Sequence, residues 1–287
     1  MFFVVVGFYQ GPSLHLWAQE NTDQGVNMFN GKNYYGAERY FQDILRQNPE
    51  SGEANYYLGR IANHGGSFDK ASEYFEKAVV SEPSNADYHA WNGINYTQLL
   101  TTVDFMRQAI YAPKALHNLE RAVELDPSHI EARIWLAGYY ANAPSFAGGS
   151  REKARDQYEK IFAIDPDNIP ALLNQGIMQV SFEEYDKAMV SFERIIDLDQ
   201  DFYPVYLQIG RLSCESGKFH AQGELSLRKY IDQAGTEYRD TKDEAWWYLG
   251  EIYVQQEKAV EARKAFEMAV SLDPENEEYR KSLKNIL

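Results

Sequence analysis

The sequence predicts an all-α fold built from repeated helix pairs, because three series of residues recur in phase. A small residue returns at intervals of 34, 34, 44, 39, 34 and 40 residues, at Gly25, Gly59, Gly93, Ala137, Gly176, Gly210 and Gly250. In six units an alanine follows, with a large side chain four residues later: Ala37/Phe41, Ala71/Phe75, Ala115/Leu119, Ala154/Tyr158, Ala188/Phe192 and Ala262/Phe266. Proline closes five units, at Pro49, Pro83, Pro127, Pro166 and Pro274. Such self-similarity indicates a helical repeat array.

Residues 243–276 show why one unit folds as two helices. Apolar residues recur at i, i+3, i+4 and i+7, which is one face of a helix, at Trp246, Leu249, Gly250 and Tyr253. Ala262, Phe266 and Ala269 predict a second helix in the same way. Gly250 and Ala262 are small because two antiparallel helices approach closely where they cross. Pro274 ends the second helix, since it lacks a backbone N–H and clashes with the preceding turn.

These residues closely resemble the tetratricopeptide repeat (TPR) family, of bacterial type, with about seven repeats over nearly the whole chain. The resemblance implies a right-handed α-solenoid, a superhelix of antiparallel helix pairs in which each pair contacts only its neighbours. The array is expected over 20–276, followed by a C-terminal capping helix at 277–287. Its repeats are expected at about 18–51, 52–85, 86–129, 130–168, 169–202, 203–242 and 243–276.

Two repeats carry extra residues. Repeat 3 has ten more between Gly93 and Ala115 than the usual spacing, including Leu99, Leu100, Val103, Phe105, Met106 and Ile110. We expect both helices to lengthen and these apolar residues to pack on each other, with Pro113 opening the second helix; the alternative is a protruding hairpin that docks a partner. Repeat 4 has five more around 143–150, where proline, two glycines and serine predict a turn with Ser150 as the N-cap of the next helix.

The N-terminal segment is uncharged over residues 1–18. An apolar run, then Gly-Pro-Ser and Trp17-Ala18-Gln19, is typical of the apolar region and cleavage end of a secretory signal peptide, although the positive first region is missing. Residues 1–19 are therefore expected to be a signal peptide of an exported protein, periplasmic or secreted. The alternative is an apolar arm packed on repeat 1 of a cytoplasmic protein.

The composition and the absence of known motifs disfavour a catalytic function and the binding of nucleic acid. The net charge of −15 opposes binding to phosphates. The six histidines and the single cysteine, Cys214, form no metal-ligand or nucleophile pattern. We therefore expect no catalytic, cofactor or metal residues, no enzyme, and no membrane insertion of the mature chain.

The function class that remains is the binding of a protein or peptide. The TPR resemblance implies that the first helix of each repeat lines a concave groove. The groove-facing positions predicted to bind a partner are Tyr56, Arg60, Ile94, Ile134, Leu173, Ile177, Leu207, Arg211, Trp247 and Glu251. Their apolar character favours an extended or helical peptide with apolar anchors. The function expected is a non-catalytic scaffold; the alternative is an accessory or substrate-binding component of an envelope enzyme system. The sequence leaves the oligomeric state open.

Overall fold

The computed structural model describes residues 13–286, with side chains from Thr22 onward except that of Glu237. Over that range the regular structure is helical, which confirms the all-α prediction. The fifteen α-helices there are α1 (Ser13–Asn30), α2 (Tyr34–Gln47), α3 (Gly52–His64), α4 (Phe68–Ser81), α5 (Ala86–Leu99), α6 (Phe105–Leu125), α7 (Ile130–Asn142), α8 (Arg151–Ile164), α9 (Ile169–Ser181), α10 (Tyr185–Leu198), α11 (Pro204–Ser216), α12 (His220–Gln233), α13 (Lys242–Gln255), α14 (Ala259–Leu272) and α15 (Glu277–Ile286). Short 3₁₀ helices lie at Ser145–Ala147 and Thr236–Thr241.

The chain forms two compact units, one ending at Gln157 and the other beginning at Tyr158. In each unit, helices that follow one another pack in antiparallel pairs, and each pair packs on the next one within its unit. The capping helix α15 packs on α14, as the sequence predicts. Each unit is therefore a piece of α-solenoid.

Polar side chains set where several helices begin. The Asn33 side-chain oxygen accepts the Gly36 N–H at 3.0 Å, and the Asn168 oxygen accepts the Ala171 N–H at 3.0 Å. Each bond satisfies one of the amide groups that have no partner inside a helix, which contributes about 1 kcal/mol. The N-cap predicted for α8 is present too, since the Ser150 hydroxyl accepts the Lys153 N–H at 3.2 Å.

The packing inside each pair explains the periodic small residue. Gly59 of α3 lies against the ring of Phe75 of α4, which is fully buried. A Cβ atom added to Gly59 would sit 2.7 Å from two atoms of that ring, closer than van der Waals contact allows. Glycine here therefore sets how closely α3 and α4 approach.

Repeat 3 differs from the sequence expectation in one helix. Only its second helix lengthens: α6 spans 21 residues, whereas α5 spans 14. Pro113 lies inside α6 and does not open it, because α6 already starts at Phe105, capped by the Asp104 side chain. The expected mutual packing is also wrong for three of the added residues: Phe105, Met106 and Ile110 are exposed to solvent.

The predicted signal peptide falls mainly on residues 1–12, which lie outside the described part of the chain, while 13–19 form the start of α1. Over the described residues, no helix combines the length and apolar character that a membrane span requires.

Candidate functional site

The first helices of the N-terminal unit carry four of the predicted groove residues. Ile94 is 1% exposed and Tyr56 is 8% exposed, so both belong to the core and can contribute only to the floor of a groove. Arg60 and Ile134 are half-buried and remain accessible. Of these four side chains, Arg60 and Ile134 can meet a partner directly.

The other six predicted groove residues lie in the C-terminal unit. Leu207 is buried, whereas Leu173 and Ile177 are half-buried. Arg211 donates from Nε to Glu215 Oε1 at 2.6 Å, an ion pair along its own helix. Its charge is therefore already neutralised inside the unit.

The capping helix engages the last two predicted residues. Trp247 Nε1 donates to the Ser282 hydroxyl at 3.1 Å, and that hydroxyl donates to Glu251 Oε1 at 3.0 Å. The Trp247 ring also stacks on Tyr279, with centroids 6.0 Å apart. These contacts give Trp247 and Glu251 a role in fastening α15, which the sequence pattern did not indicate.

Arg60 has the most unusual surroundings in the N-terminal unit. Its guanidinium carbon lies 4.2 Å from the centroid of the Trp91 ring, 4.7 Å from Phe29 and 5.6 Å from Tyr56. Aromatic faces attract a cation because their π-electrons are negative. Rings from three consecutive first helices thus hold one cation between them.

The hydrogen bonds of Arg60 are incomplete. Its one bond to a described residue runs from Nη1 to the Tyr56 hydroxyl at 3.5 Å, and its buried Nε has no acceptor there. A buried donor without a partner costs about 1–3 kcal/mol. Arg60 therefore presents N–H groups for which the surrounding residues provide no carboxylate.

Two carboxylates influence the potential around Arg60 from a greater distance. The contact with His129, whose Nε2 lies 3.3 Å from Asp87 Oδ1, is the main cause that lowers the pKa of Asp87, and Arg60 lowers it further. Desolvation raises the pKa of Glu131, against the attraction of Arg60. Asp87 and Glu131 are therefore the acidic groups whose charge acts on Arg60.

The sequence predicted Arg60 as a groove residue but did not predict the aromatic rings that surround its guanidinium. Phe29 and Trp91 are not among the positions predicted to face the groove, and only the packing of three repeats brings them to one guanidinium. A signal for the acidic pair was present: Asp87 and Glu131 both stand at the second position of their repeats.

Cys214 shows no sign of nucleophilic chemistry. Burial, together with Glu251 and Glu215, raises the pKa of its thiol to about 12. A thiol in this state is almost wholly protonated at neutral pH and a poor nucleophile. Among the described side chains, no three histidine, cysteine, aspartate or glutamate residues are grouped so that they could hold a metal ion.

Paired helices, small residues at their crossings and residues shared between consecutive first helices define a helical-repeat solenoid protein. Family models described as tetratricopeptide repeat match residues 23–86 and 243–276. The chain therefore carries tetratricopeptide repeats over these two stretches, which together make up about a third of its length. Proteins of this family are generally protein-interaction scaffolds.

Similar proteins share the fold at low identity. A tetratricopeptide repeat protein from Parabacteroides merdae matches with a TM-score of 0.67 and 18% identity, covering 94% of this chain and 98% of that one. The TPR repeat-containing protein YpiA of Bacillus subtilis is 24% identical over 82% of this chain and 51% of its own length. Superkiller complex protein 3 of Mus musculus is 22% identical over 88% of this chain and 15% of its own length. The chain thus spans about half of one curated relative and a small part of the other.

Proposed function

We propose that this chain is a non-catalytic scaffold that binds a peptide segment of a partner protein on the first helices of its N-terminal unit, with Arg60 as the polar anchor. The observation that carries the proposal is the half-buried Arg60 guanidinium, which three rings hold in place and which makes one hydrogen bond, from Nη1, to a described residue. Buried polar groups normally have a partner. A ligand on the accessible side of the guanidinium can accept from its remaining terminal N–H groups.

The charged and apolar groups around Arg60 indicate which kind of ligand would bind there. Because Asp87 and Glu131 already act on the charge of Arg60, a further carboxylate would gain less from the guanidinium than it would from one with no acidic group nearby. A neutral acceptor, such as a peptide carbonyl or a side-chain amide, would meet no charge repulsion from either acidic group. Trp91 and Ile134, both half-buried, offer apolar surface beside it. We therefore propose an uncharged or basic segment with apolar side chains, bound in extended or helical form.

The test is a peptide-display selection against the full chain, followed by affinity measurement for the selected peptides. Replacing Arg60→Ala is expected to weaken binding at least about tenfold, which corresponds to one lost hydrogen bond from a charged donor. Arg263→Ala is the matched control, since Arg263 is an exposed arginine that pairs with Glu267. Equal affinity for the wild type and the Arg60 variant, or selected peptides rich in acidic residues, would refute the proposal.

Export remains part of the proposal, supported by the uncharged residues 1–18. Mass spectrometry of the chain isolated from its native cell tests it. Loss of roughly the first 19 residues would support a signal peptide. An intact N-terminus recovered with the cytoplasmic fraction would favour the apolar arm.

A further inference from the structure

The two insertions predicted from the repeat spacing meet at one place in the N-terminal unit. The hydroxyl of Tyr139 on α7 lies 3.1 Å from the carbonyl oxygen of Ala112 in α6 and 2.9 Å from that of Ala147 in the repeat 4 turn. The turn also approaches α6 at Leu116, since a Cβ on Gly148 would lie 2.8 Å from Leu116 Cδ2. The lengthened helix and the extra turn thus form one surface.

This surface is apolar and exposed. Phe105 is 75% exposed, Met106 79% and Ile110 60%, and Phe146 in the turn is 84% exposed. The spacing of Phe105, Met106, Ala109, Ile110 and Pro113 places all five on one side of α6, and within 105–113 no charged residue shares that side; Glu120 and Glu124 follow on it two and three turns further along. We call these five residues together with Phe146 the α6 face.

The opposite side of the same helix is held in place by charges. Arg107 Nη2 pairs with Asp69 Oδ1 at 2.6 Å, and Lys114 Nζ pairs with Glu76 Oε1 at 2.8 Å, both acidic partners lying on α4. Asp104 caps α6 by accepting the Met106 and Arg107 N–H groups. α6 itself packs on α5, and these ion pairs connect the side opposite the α6 face to α4.

The α6 face is as large as the largest apolar patches of monomeric proteins. From the exposed fractions, its large side chains present roughly 500–600 Å² of accessible surface, which is at the upper end for the largest patch on a typical monomer. Two such faces together would bury on the order of 1,000–1,200 Å², the lower limit for a specific protein interface. The area therefore suffices for a dimer that depends on concentration.

We propose that the α6 face is the interface for a second copy of this chain, in a two-fold homodimer. In a two-fold interface the same patch meets itself, so a patch that carries charge would repel its copy. The chain has a net charge of −15, yet none of the residues of the α6 face is charged. Two copies of the face can therefore meet with no like charges of the face itself placed opposite each other. This inference is independent of peptide binding at Arg60.

Sedimentation equilibrium of the full chain between about 1 and 300 µM tests the proposal. The wild type is expected to form dimers within that range. The Phe105→Glu/Ile110→Glu variant places like charges at the two-fold interface and is expected to raise the dimer Kd at least about tenfold. The control variant Val190→Glu/Val260→Glu alters two valines that are each 66% exposed in the C-terminal unit, and it should dimerise as the wild type does.

Circular dichroism of each variant establishes that the helical fold is intact, which is expected because all four altered side chains are exposed. A wild type that stays monomeric throughout the range overturns the proposal, as it would if the face served a different protein. Dimers that persist in the Phe105/Ile110 variant also overturn it. The proposal is also overturned if the control variant weakens dimerisation as much as the Phe105/Ile110 variant does.

Discussion

Glycine-to-alanine substitutions at two helix positions should change the free energy of unfolding in opposite directions. The difference between the two changes measures how tightly the helices are packed at each position. Gly59 lies inside α3 and Gly138 inside α7. A Cβ on Gly59 would sit 2.7 Å from two ring atoms of Phe75, a side chain with no exposed surface. A Cβ on Gly138 would meet nothing within 4 Å.

The magnitudes follow from two opposing effects. Alanine is favoured over glycine inside a helix by about 0.8–1.0 kcal/mol, and this gain applies at both positions. Forcing a methyl group into a close-packed core costs about 1–3 kcal/mol, and this cost applies only at Gly59 because the Phe75 ring has no space to move into. We expect Gly138→Ala to raise the free energy of unfolding by about 0.5–1 kcal/mol. We expect Gly59→Ala to lower it by about 1–2 kcal/mol.

Equilibrium denaturation in urea, followed by circular dichroism and tryptophan fluorescence, gives both values. Repeat arrays can unfold in more than one step, so the same transition must be compared in each variant and its m value must be unchanged. A Gly59→Ala protein as stable as the Gly138→Ala protein would refute the reasoning. It would show that the α3–α4 crossing adapts, and that the periodic glycine is not required by packing.

Three further predictions test single contacts. Phe192→Ala removes a fully buried ring between α9 and α10 and should cost about 3–5 kcal/mol in urea denaturation; a loss below 1 kcal/mol would contradict the packing described. Asp104→Ala removes two N-cap hydrogen bonds of α6 and should cost about 1 kcal/mol, recovered largely by Asp104→Ser, whereas equal loss in both variants would show that the cap is unimportant. Cys214 should react with a thiol reagent at pH 8 at least about 100-fold more slowly than free cysteine, because its raised pKa leaves little thiolate, and the rate should rise as the pH approaches 12; a normal rate in the folded chain would exclude the burial described.

The periodic residues predicted the helix pairs because each pair obeys the same local rule. A small residue must sit at the crossing, a large one must fill the space beside it, and a proline or polar cap must end a helix. These requirements are met within about 34 residues, so the sequence of one repeat is enough to express them. Such a pattern predicted two helices within 243–276, where α13 and α14 lie, and a capping helix after them, where α15 lies.

The insertions and the groove were less predictable because their outcome depends on neighbouring repeats. Apolar residues at 105–110 predicted mutual packing, yet α6 packs on α5, forms ion pairs with α4 through Arg107 and Lys114, and leaves its apolar side exposed. Trp247 fits a groove position by spacing, but its indole N–H reaches Ser282 of the capping helix. Neither contact leaves a signal at a regular interval.

The sequence by itself therefore determined the class of fold and the pairing of helices within a repeat, because both depend on spacings within one repeat. Only the tertiary structure decided that Arg60 lies among Phe29, Tyr56 and Trp91, with an Nε that has no acceptor among the described residues, because those rings come from three different repeats. The physical reason is that helix periodicity is a property of adjacent residues, whereas the environment of a charge depends on every helix that packs around it.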